Sequence, residues 1–501
     1  MLKLIPQPMK IEYISQEKFP LEHISLGENL ISRVAQDEFL KFCGMPGGDA
    51  NIIFETDSTL QEEAYVLETG QTVKIKAASA SGQLYALETL KQMIFQSSGS
   101  LEHVRIEDSP KYKLRGFMLD CGRYIFPVSD IKKIIRRMAL HKLNLLHLHL
   151  TEDQGWRVEI DKYPLLTQIG SIRKKTNFDH KVHGGYYTKE HIKEIVEYAH
   201  AFGIKVMPEF DIPGHSRAAI AAYNELTCFP RKLPVADHWG VKHDVLCVGK
   251  ESTMKFVYDV LDEFFEMFPD EYIHIGGDEV PKHRWDLCPN CRKKRDELGL
   301  KDSDALQFWF MNQVKDYCKA HGKQAFMWSW ELEDASDIDT DLGFTKCGEM
   351  DTGDRPFIDT ATDAYYIDLP YGYVSLKDSA EHKVLSGNCL GVEGTLWTEY
   401  VPDMKKADLM SFPRTGCISE TGWHGECGWK NFSQKLEFYY SFLDKNNIGY
   451  AKPAKANPKF PMDKLSILWF ERRQLAWEGL TNIIEDKKIE RLAKSNKKGC
   501  D

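Results

Sequence analysis

The chain lacks any long apolar run. No stretch of its 501 residues approaches the roughly 18 consecutive apolar residues of a membrane-spanning helix, so the sequence predicts no such segment. Its start, MLKLIPQPMKIEYIS, also lacks the apolar stretch of about 7–15 residues typical of a signal peptide, and Pro6 and Pro8 interrupt it. We therefore expect a cytoplasmic protein.

An excess of basic residues is also absent. The formal net charge is −10 and Lys and Arg are scattered, which argues against nucleic acid or an anionic membrane as the main partner. The 12 cysteines do not form the dense framework of a small disulfide-stabilised secreted domain, so we expect reduced thiols. Apolar residues make up 42% of the chain, which is enough for a large core. The composition leaves the oligomeric state open.

Residues 1–108 have the pattern of a small α/β domain. In YVLETGQTVKIKAAS two strand-like runs flank a glycine turn, and SGQLYALETLKQMIFQ follows with the spacing of an amphipathic helix. The segment IEDSPKYKLRG is a plausible junction, because Pro110 disfavours helix there. We therefore expect this domain at 1–108, a second domain at 109–450, and a C-terminal helical extension at 451–501 that packs on the second domain.

The second domain alternates short apolar strands with helical patterns. The first strand, RGFMLD, precedes SDIKKIIRRMALHK, where Ser129 is a candidate N-cap and Ile131, Ile134, Ile135 and Met138 recur at helical spacing. Such alternation favours a parallel sheet, and eight units favour a (β/α)8 TIM barrel. The predicted strands are 115–120, 144–150, 204–210, 271–277, 323–330, 342–347, 364–368 and 389–397.

Polar and aromatic side chains follow seven of these eight strands, at the barrel end where active sites lie. Singly, each acid could be a helix cap, each Trp a core residue, and His215 a partner of a nearby loop. Together they are hard to explain as caps, and an acidic concave site with aromatic walls suits a neutral, hydroxylated ligand such as a sugar. The candidates are Asp120, Arg123, Glu152, Asp153, Trp156, Glu209, Asp211, His215, Asp278, Glu279, Trp328, Trp330, Glu331, Tyr366, Asp368, Trp397 and Glu399.

The fourth strand ends in two adjacent carboxylates. In YIHIGGDEV, Gly276 and Gly277 precede Asp278 and Glu279. We expect the glycines to allow a sharp turn and to let a ligand approach the backbone closely. The alternative is a simple turn capped by Asp278. Adjacent carboxylates also push each other's titration apart, so that one can stay protonated while its neighbour is charged.

The motif HIGGDE (274–279) resembles the catalytic signature of the glycoside hydrolase family 20 β-N-acetylhexosaminidases. Other motifs of that family have similar counterparts here, in the same order, and the resemblance covers roughly residues 60–435, including the small domain that commonly precedes the barrel. These counterparts are LRGFMLDCGRYIF, LHLHLTEDQGWRVEI, PEFDIPGH, YYID and GVEGTLWTEY.

The resemblance implies a retaining exo-hydrolase of terminal β-linked GlcNAc, or GalNAc, in oligosaccharides or glycoconjugates. It implies substrate-assisted catalysis, in which the 2-acetamido oxygen attacks the anomeric carbon and forms an oxazolinium intermediate, without a cofactor. Glu279 matches the general acid, which stays protonated. Asp278 matches the charged residue that orients the acetamide, and Tyr366 matches the hydrogen-bond donor to its oxygen.

The remaining matches concern sugar binding and support. Arg123, Asp368 and Glu399 match residues that hold hydroxyls, Trp330 and Trp397 match pocket walls, and Glu152 and His215 match a pair that supports the acid from behind.

Two departures from the family pattern bear on substrate choice. The family often has Asp where this chain has Glu152, and a third pocket Trp is missing because no Trp lies between Trp330 and Trp397. Cys347 or a neighbour is a candidate for that place. The alternatives are therefore the same mechanism on a 6-substituted GlcNAc, or a non-catalytic sugar-binding protein on the same barrel, against which the intact Asp278–Glu279 pair argues.

The motif CPNC (288–291) is a C-x-x-C pair of the kind found in zinc sites, which need four ligands. No second pair with metal spacing follows it, and Cys318 and His283 are the candidates to complete a site. Unmetallated thiols are the simpler interpretation, so we expect no metal.

Overall fold

The computed structural model describes residues 2–176, 179–329, 338–384, 387–474, 482, 485–491 and 493. Its N-terminal part is a five-stranded sheet in the order β1-β5-β3-β4-β2, and β3 and β4 form the antiparallel hairpin that the glycine turn predicts. The elements are β1 (Lys10–Pro20), α1 (Arg33–Cys43), β2 (Ile52–Thr56), β3 (Tyr65–Glu68), β4 (Val73–Ala77), α2 (Ala80–Gln96) and β5 (Ser100–Asp108).

The expected amphipathic helix is α2, but it is buried on almost every side, from Gly82 to Ile94. It contacts the sheet on one side and α3 (Val128–Leu140) and α14 (Leu436–Lys445) on the other. The prediction of an amphipathic helix with one exposed face is therefore wrong, because a second layer of helices covers that face.

Eight parallel strands then close into a barrel, which confirms the predicted fold class. Their order around the barrel follows the chain, and β6 closes it between β7 and β15. The strands, with a short hairpin β8–β9 after the second, are β6 (Leu114–Asp120), β7 (Leu145–His149), β8 (Thr151–Glu152), β9 (Gly155–Trp156), β10 (Lys205–Ile212), β11 (Tyr272–Gly276), β12 (Gln324–Trp328), β13 (Gly343–Lys346), β14 (Phe357–Asp359) and β15 (Cys389–Leu396).

The seventh barrel strand is β14, and the prediction of a strand at 364–368 is wrong. Residues 364–368 form a turn after β14, with one bridge from Tyr366 to Thr395 of β15. The segment has the apolar content of a strand because it packs over the barrel end. Between β13 and β14 the described chain, residues 347–356, contains no helix.

Helices surround the barrel. The helix after β6 buries the predicted Ile and Met positions, but its N-cap is Pro127 and Ser129 lies in its first turn. The helices are α3, α4 (Lys189–His200), α5 (Arg217–Ala222), α6 (Glu251–Met267), α7 (His283–Leu287), α8 (Pro289–Leu298), α9 (Ser303–Ala320), α10 (Leu376–Glu381), α11 (Met404–Ser411), α12 (Arg414–His424), α13 (Trp429–Ser433), α14, α15 (Pro453–Ala456) and α16 (Met462–Gln474), with a π-turn at Leu166–Gly170 and a 3₁₀ turn at Asn224–Leu226.

The barrel interior changes character along its axis. At the N-terminal end an apolar layer fills it, formed by Leu114, Leu145, Met207, Tyr272, Phe326 and Ile358. Above this layer the strands contribute buried polar side chains, and the C-terminal end opens into a cleft. The apolar layer closes the barrel below, so a ligand can enter only from the C-terminal end. Among the described residues, no helix has both the length and the apolarity to cross a membrane.

Candidate active site

A cleft of about 380 Å³ opens at the C-terminal end of the barrel, a size within the range of small-ligand pockets. Nine of the ten predicted site residues line it, and the tenth, Trp330, lies outside the described residues. The nine are Arg123, Glu152, His215, Asp278, Glu279, Tyr366, Asp368, Trp397 and Glu399.

The turn after β11 sets the geometry of the carboxylate pair. Gly276 and Gly277 both have positive φ, at 64° and 98°, which confirms the expected sharp turn. A Cβ on Gly276 would lie 1.7 Å from Asp211 Oδ1, so the space at this glycine is filled by a carboxyl group. The expectation that this space admits a ligand is therefore wrong. Glu279 and His215 also have positive φ, at 47° and 43°, and such strained backbone in non-glycine residues is concentrated at functional sites.

Asp278 is almost fully buried at the base of the cleft. Its Oδ1 atom has no hydrogen-bond partner among the described residues, although a buried acceptor is costly to leave unpaired. Burial raises the pKa of the Asp278 carboxyl to about 7, and the neighbouring Glu279 adds to the rise, while His215 opposes it. Asp278 therefore holds a proton up to about neutral pH in the free protein.

Glu279 is more exposed, with 31% of its side chain accessible, and its Oε2 lies 3.4 Å from His215 Nε2. Partial burial acts to raise the pKa of Glu279, but the charge of His215 in this ion pair outweighs it and the pKa is lowered. The titrations of the pair are thus separated as expected, but the expected order is wrong for the free protein. The sequence does not show that Asp278 is the more buried of the two or that His215 faces Glu279.

A chain of charges supports His215 from behind. Its Nδ1 lies 2.9 Å from Glu152 Oε1, and the other oxygen of Glu152 lies 2.9 Å from Arg123. Burial opposes ionisation of Glu152, but Arg123 and His215 outweigh it and hold its pKa well below the usual range. Burial likewise opposes the charge on His215, but Glu152 and Asp211 raise its pKa well above normal. His215 is therefore a cation fixed beside the carboxylate pair.

The opposite side of the cleft carries aromatic side chains and polar groups of the kind that bind sugar hydroxyls. Tyr366 donates its hydroxyl proton to Cys347 Sγ at 3.3 Å, so Cys347 lies beside the predicted acetamide position. The Trp397 ring lies under the Arg123 guanidinium, 5.0 Å from ring centroid to Cζ. Arg123 also lies 3.7 Å from Glu399, and Asp368 Oδ1 is buried without a partner among the described residues. Donors and acceptors with free capacity therefore face the cleft.

A buried polar network forms the floor. Glu209 accepts hydrogen bonds from the Trp328 indole at 2.6 Å and from His149 at 2.6 Å, and His147 stacks on Trp328. His149 also lies 3.2 Å from Glu152, which connects the floor to the wall. The sequence analysis missed these two histidines, although their alternation with leucine in β7 places both on one face of the strand.

Sequence reasoning missed several residues of the rim. They come from loops without strand or helix patterns: Trp239, Gly240 and Val241 after β10, Thr362 and Leu369 after β14, Tyr400 after β15, and Phe470 on α16. A second missed feature lies beside the cleft, where four cysteines converge: Cys228, Cys247, Cys288 and Cys291. The ligands expected to complete the CPNC pair, Cys318 and His283, are not in this group.

Comparison with known proteins shows which family the chain is similar to. The family model described as "Glycosyl hydrolase family 20, catalytic domain" matches residues 112–381 and 353–426, and "Glycosyl hydrolase family 20, domain 2" matches residues 1–109. A β-hexosaminidase of Porphyromonas gingivalis is 36% identical over 454 residues, covering 82% of this chain but 58% of that protein. A β-hexosaminidase of Akkermansia muciniphila is 33% identical over 428 residues, covering 77% and 85% respectively.

Solved structures of similar fold lead to the same family. The exo-β-N-acetylglucosaminidase of Vibrio harveyi in complex with N-acetylglucosamine has a TM-score of 0.79 at 27% identity, over 90% of this chain and 78% of that one. The β-N-acetylhexosaminidase of Bacteroides fragilis has a TM-score of 0.77 at 30% identity, over 89% and 96%. On these matches the chain belongs to glycosyl hydrolase family 20, and it is a glycoside hydrolase with the domains of a β-N-acetylhexosaminidase.

Proposed function

We propose that the protein is a retaining exo-β-N-acetylhexosaminidase that removes terminal β-linked GlcNAc by substrate-assisted catalysis. The observation that carries the proposal is Asp278, whose buried Oδ1 lacks a partner among the described residues, directly beside Glu279 in a closed-bottomed cleft. An acetamide N–H supplies the missing donor. The bound N-acetylglucosamine in the Vibrio harveyi structure supports this class of substrate.

Binding of the sugar fixes the acetamide group. Asp278 accepts a hydrogen bond from its N–H, and the Tyr366 hydroxyl turns from Cys347 to donate to its carbonyl oxygen. This holds the oxygen below the anomeric carbon, and such proximity is worth several kcal/mol of the barrier. Arg123, Asp368 and Glu399 bind hydroxyl groups, and Trp397 forms a wall.

The proton on the carboxylate pair then changes position. In the free protein it resides on Asp278, whose pKa is about 7. A hydrogen bond from the acetamide N–H stabilises the Asp278 anion, and the sugar removes water from Glu279. The hydrogen bond lowers the affinity of Asp278 for the proton, the loss of water raises that of Glu279, and the new negative charge on Asp278 raises it further. Glu279 is thereby converted from a carboxylate into the general acid.

Bond cleavage and hydrolysis follow from this arrangement. The acetamide oxygen attacks the anomeric carbon as Glu279 donates its proton to the glycosidic oxygen, and the leaving sugar departs with that proton. Charged Asp278 stabilises the positive oxazolinium. Glu279 then removes a proton from water, which attacks the anomeric carbon from the face that the leaving group vacated, and the acetamide is restored with net retention.

The acidity of the cleft bears on the 6-substituted alternative. Among the described residues that line the cleft, the cationic side chains are Arg123 and His215, and both are already paired with carboxylates. An anionic 6-substituent therefore meets repulsion, and we propose a sugar without an anionic group at this position. GlcNAc and GalNAc differ at one hydroxyl group, and activity toward both is measured in the same experiment.

The test uses aryl β-GlcNAc, β-GalNAc and 6-substituted β-GlcNAc with the purified chain. We expect release from β-GlcNAc, inhibition by a thiazoline analogue of the cyclised intermediate, and a loss of turnover of about 10²-fold or more in Asp278→Asn. Binding of GlcNAc without turnover of any acetamido sugar would support the non-catalytic alternative instead. Unchanged turnover in Asp278→Asn would refute the proposed mechanism while leaving the activity in place.

A further inference from the structure

Four cysteine side chains from three separate parts of the chain meet beside the active-site loops. They are Cys228 and Cys247, from the loop after β10, and Cys288 and Cys291, around the start of α8, and we call them the cysteine cluster. All four are buried, and all four Sγ atoms lie within 4.8 Å of one another. The chemistry described for the active site uses none of them.

The spacing of the sulfur atoms matches a single tetrahedral metal ion. Cys247 Sγ lies 3.6 Å from both Cys288 and Cys291, and Cys228 Sγ lies 3.7 Å from Cys291. A tetrahedral site with metal–sulfur bonds of about 2.3 Å separates its sulfurs by about 3.8 Å. A disulfide requires about 2.05 Å, and an iron–sulfur cluster distributes its thiolates over two or more irons.

The local backbone is shaped to bring the two pairs together. Cys288 is the N-cap of α8 and Pro289 is its first residue, so the CPNC turn is fixed to the start of this helix. On the other side, a Cβ on Gly249 would lie 2.4 Å from the backbone of Asn290 and Cys291. The chain after Cys247 therefore packs directly against the CPNC turn, an approach that only glycine permits.

The cluster holds a long irregular segment. Residues 223–250, between α5 and α6, contain one short 3₁₀ turn and otherwise no helix or strand. Loops of this length without secondary structure are uncommon unless they are functional and need other means of support. Between Cys228 and Cys247 this loop places Trp239, Gly240 and Val241 in the wall of the cleft.

We propose that the cysteine cluster binds one Zn²⁺ ion as a structural site that ties the loop after β10 to the loop after β11. Four buried thiolates in tetrahedral geometry suit Zn²⁺, which needs no open coordination position for such a role. On binding, each thiol releases its proton to solvent and each sulfur donates one electron pair to the ion. The cross-link fixes the base of the loop that supplies the cleft wall and the base of the loop that follows Asp278 and Glu279.

The sequence hid this site because its ligands are far apart along the chain. The expected partners of CPNC lay after it, whereas the second pair precedes it and is itself separated by 18 residues. Adjacent loops of a parallel barrel emerge at the same end, which brings the two pairs together only once the barrel closes.

The test is the metal content of the full-length protein, purified without a metal-affinity resin. We expect about one zinc per chain by plasma mass spectrometry, and X-ray absorption at the zinc edge should show four sulfur neighbours at about 2.3 Å. Cys291→Ser should lose the zinc. Cys318→Ser, which removes a buried thiol on α9 outside the cluster, is the matched control and should retain it.

Each other outcome contradicts the proposal. Wild-type protein that contains no stoichiometric metal, or iron instead of zinc, or zinc with nitrogen or oxygen neighbours, would overturn it, as would loss of zinc in Cys318→Ser alone. If Cys291→Ser does not fold, the X-ray absorption of the wild-type protein at the zinc edge still tests whether four sulfur atoms bind the ion. The effect on the cleft rests on the proposed glycosidase function: Cys291→Ser should raise KM for aryl β-GlcNAc more than it lowers kcat. Metal content is measured without substrate, so failure of one proposal is distinguishable from failure of the other.

Discussion

The cation His215 sets the titration of the carboxylate pair, and replacing it tests the proposed proton movement. Its Nε2 lies 3.4 Å from Glu279 and 3.9 Å from Asp278. At 3.4 Å and an effective dielectric constant of about 20, the attraction between unit charges is about 5 kcal/mol. Water on the exposed part of Glu279 screens this, and an opposite charge at such distances lowers a carboxyl pKa by about 1–3 units.

His215→Gln removes the charge and keeps a hydrogen-bonding side chain. Loss of a cation makes both carboxylate anions less stable, so both pKa values rise. The profile of kcat/KM against pH reports the free protein, where the active form carries one proton on the pair. Its acid limb reflects Glu279, whose pKa is lowered from its ordinary value in wild type, and its alkaline limb reflects Asp278, whose pKa is about 7. Both limbs should move to higher pH in the variant, the acid limb by about 1–3 units.

The assay is hydrolysis of an activated aryl β-GlcNAc between pH 3 and about 9, with folding checked by circular dichroism. His200→Gln is the matched control, because His200 pairs with Asp270 at 2.9 Å at the opposite end of the barrel. It should leave both limbs unchanged. A folded His215→Gln variant with an unshifted acid limb would contradict the proposed role of His215, since the limb would then not belong to a carboxylate that faces His215.

Three further substitutions test a contact to the acetamide, a buried carboxyl group beside the cleft and a buried histidine away from it. Tyr366→Phe should lower kcat by about 10–100-fold, the value of one hydrogen bond to a group that acquires charge, in steady-state assays. Asp211→Asn keeps the shape of the side chain and an acceptor for the Gly277 amide at 3.3 Å, and Glu152 still pairs with His215 at 2.9 Å, so kcat/KM at pH 6 should stay within about threefold of wild type. Burial lowers the pKa of His141 to about 4, so its contribution to stability is complete above pH 6.5 and is lost as the pH falls toward 4; the Tm difference between His141→Gln and wild type should narrow between pH 7 and pH 4.5.

The barrel could be predicted because most of its strands are buried on both faces and are short apolar runs. The seventh could not, since β14 has three residues, too few to show a period. The neighbouring segment AYYID has strand-like composition but forms a turn. Its Tyr366 reaches the cleft through a single bridge to β15.

The residues at the strand ends were predictable because the fold brings all these ends to one face. The order of the two carboxyl pKa values could not be predicted. It depends on how deeply each carboxyl is buried and on the contact between His215 and Glu279, which lie on different loops. The rim residues were also missed, since Trp239 and Phe470 reach the cleft from segments whose path depends on tertiary packing. Local pattern thus predicts which strands carry chemistry, but not the electrostatics between their loops.

Participation of the substrate's own acetamide in the reaction is tested with a series of aryl β-GlcNAc analogues that carry zero to three fluorine atoms on the acetyl group. Fluorine withdraws electrons from the carbonyl oxygen and weakens it as a nucleophile, with little change in size. If the acetamide oxygen attacks the anomeric carbon, kcat/KM should fall steeply with each added fluorine. A flat series, in which the trifluoroacetyl sugar reacts as fast as the acetyl sugar, would contradict it and would point to a nucleophile supplied by the protein.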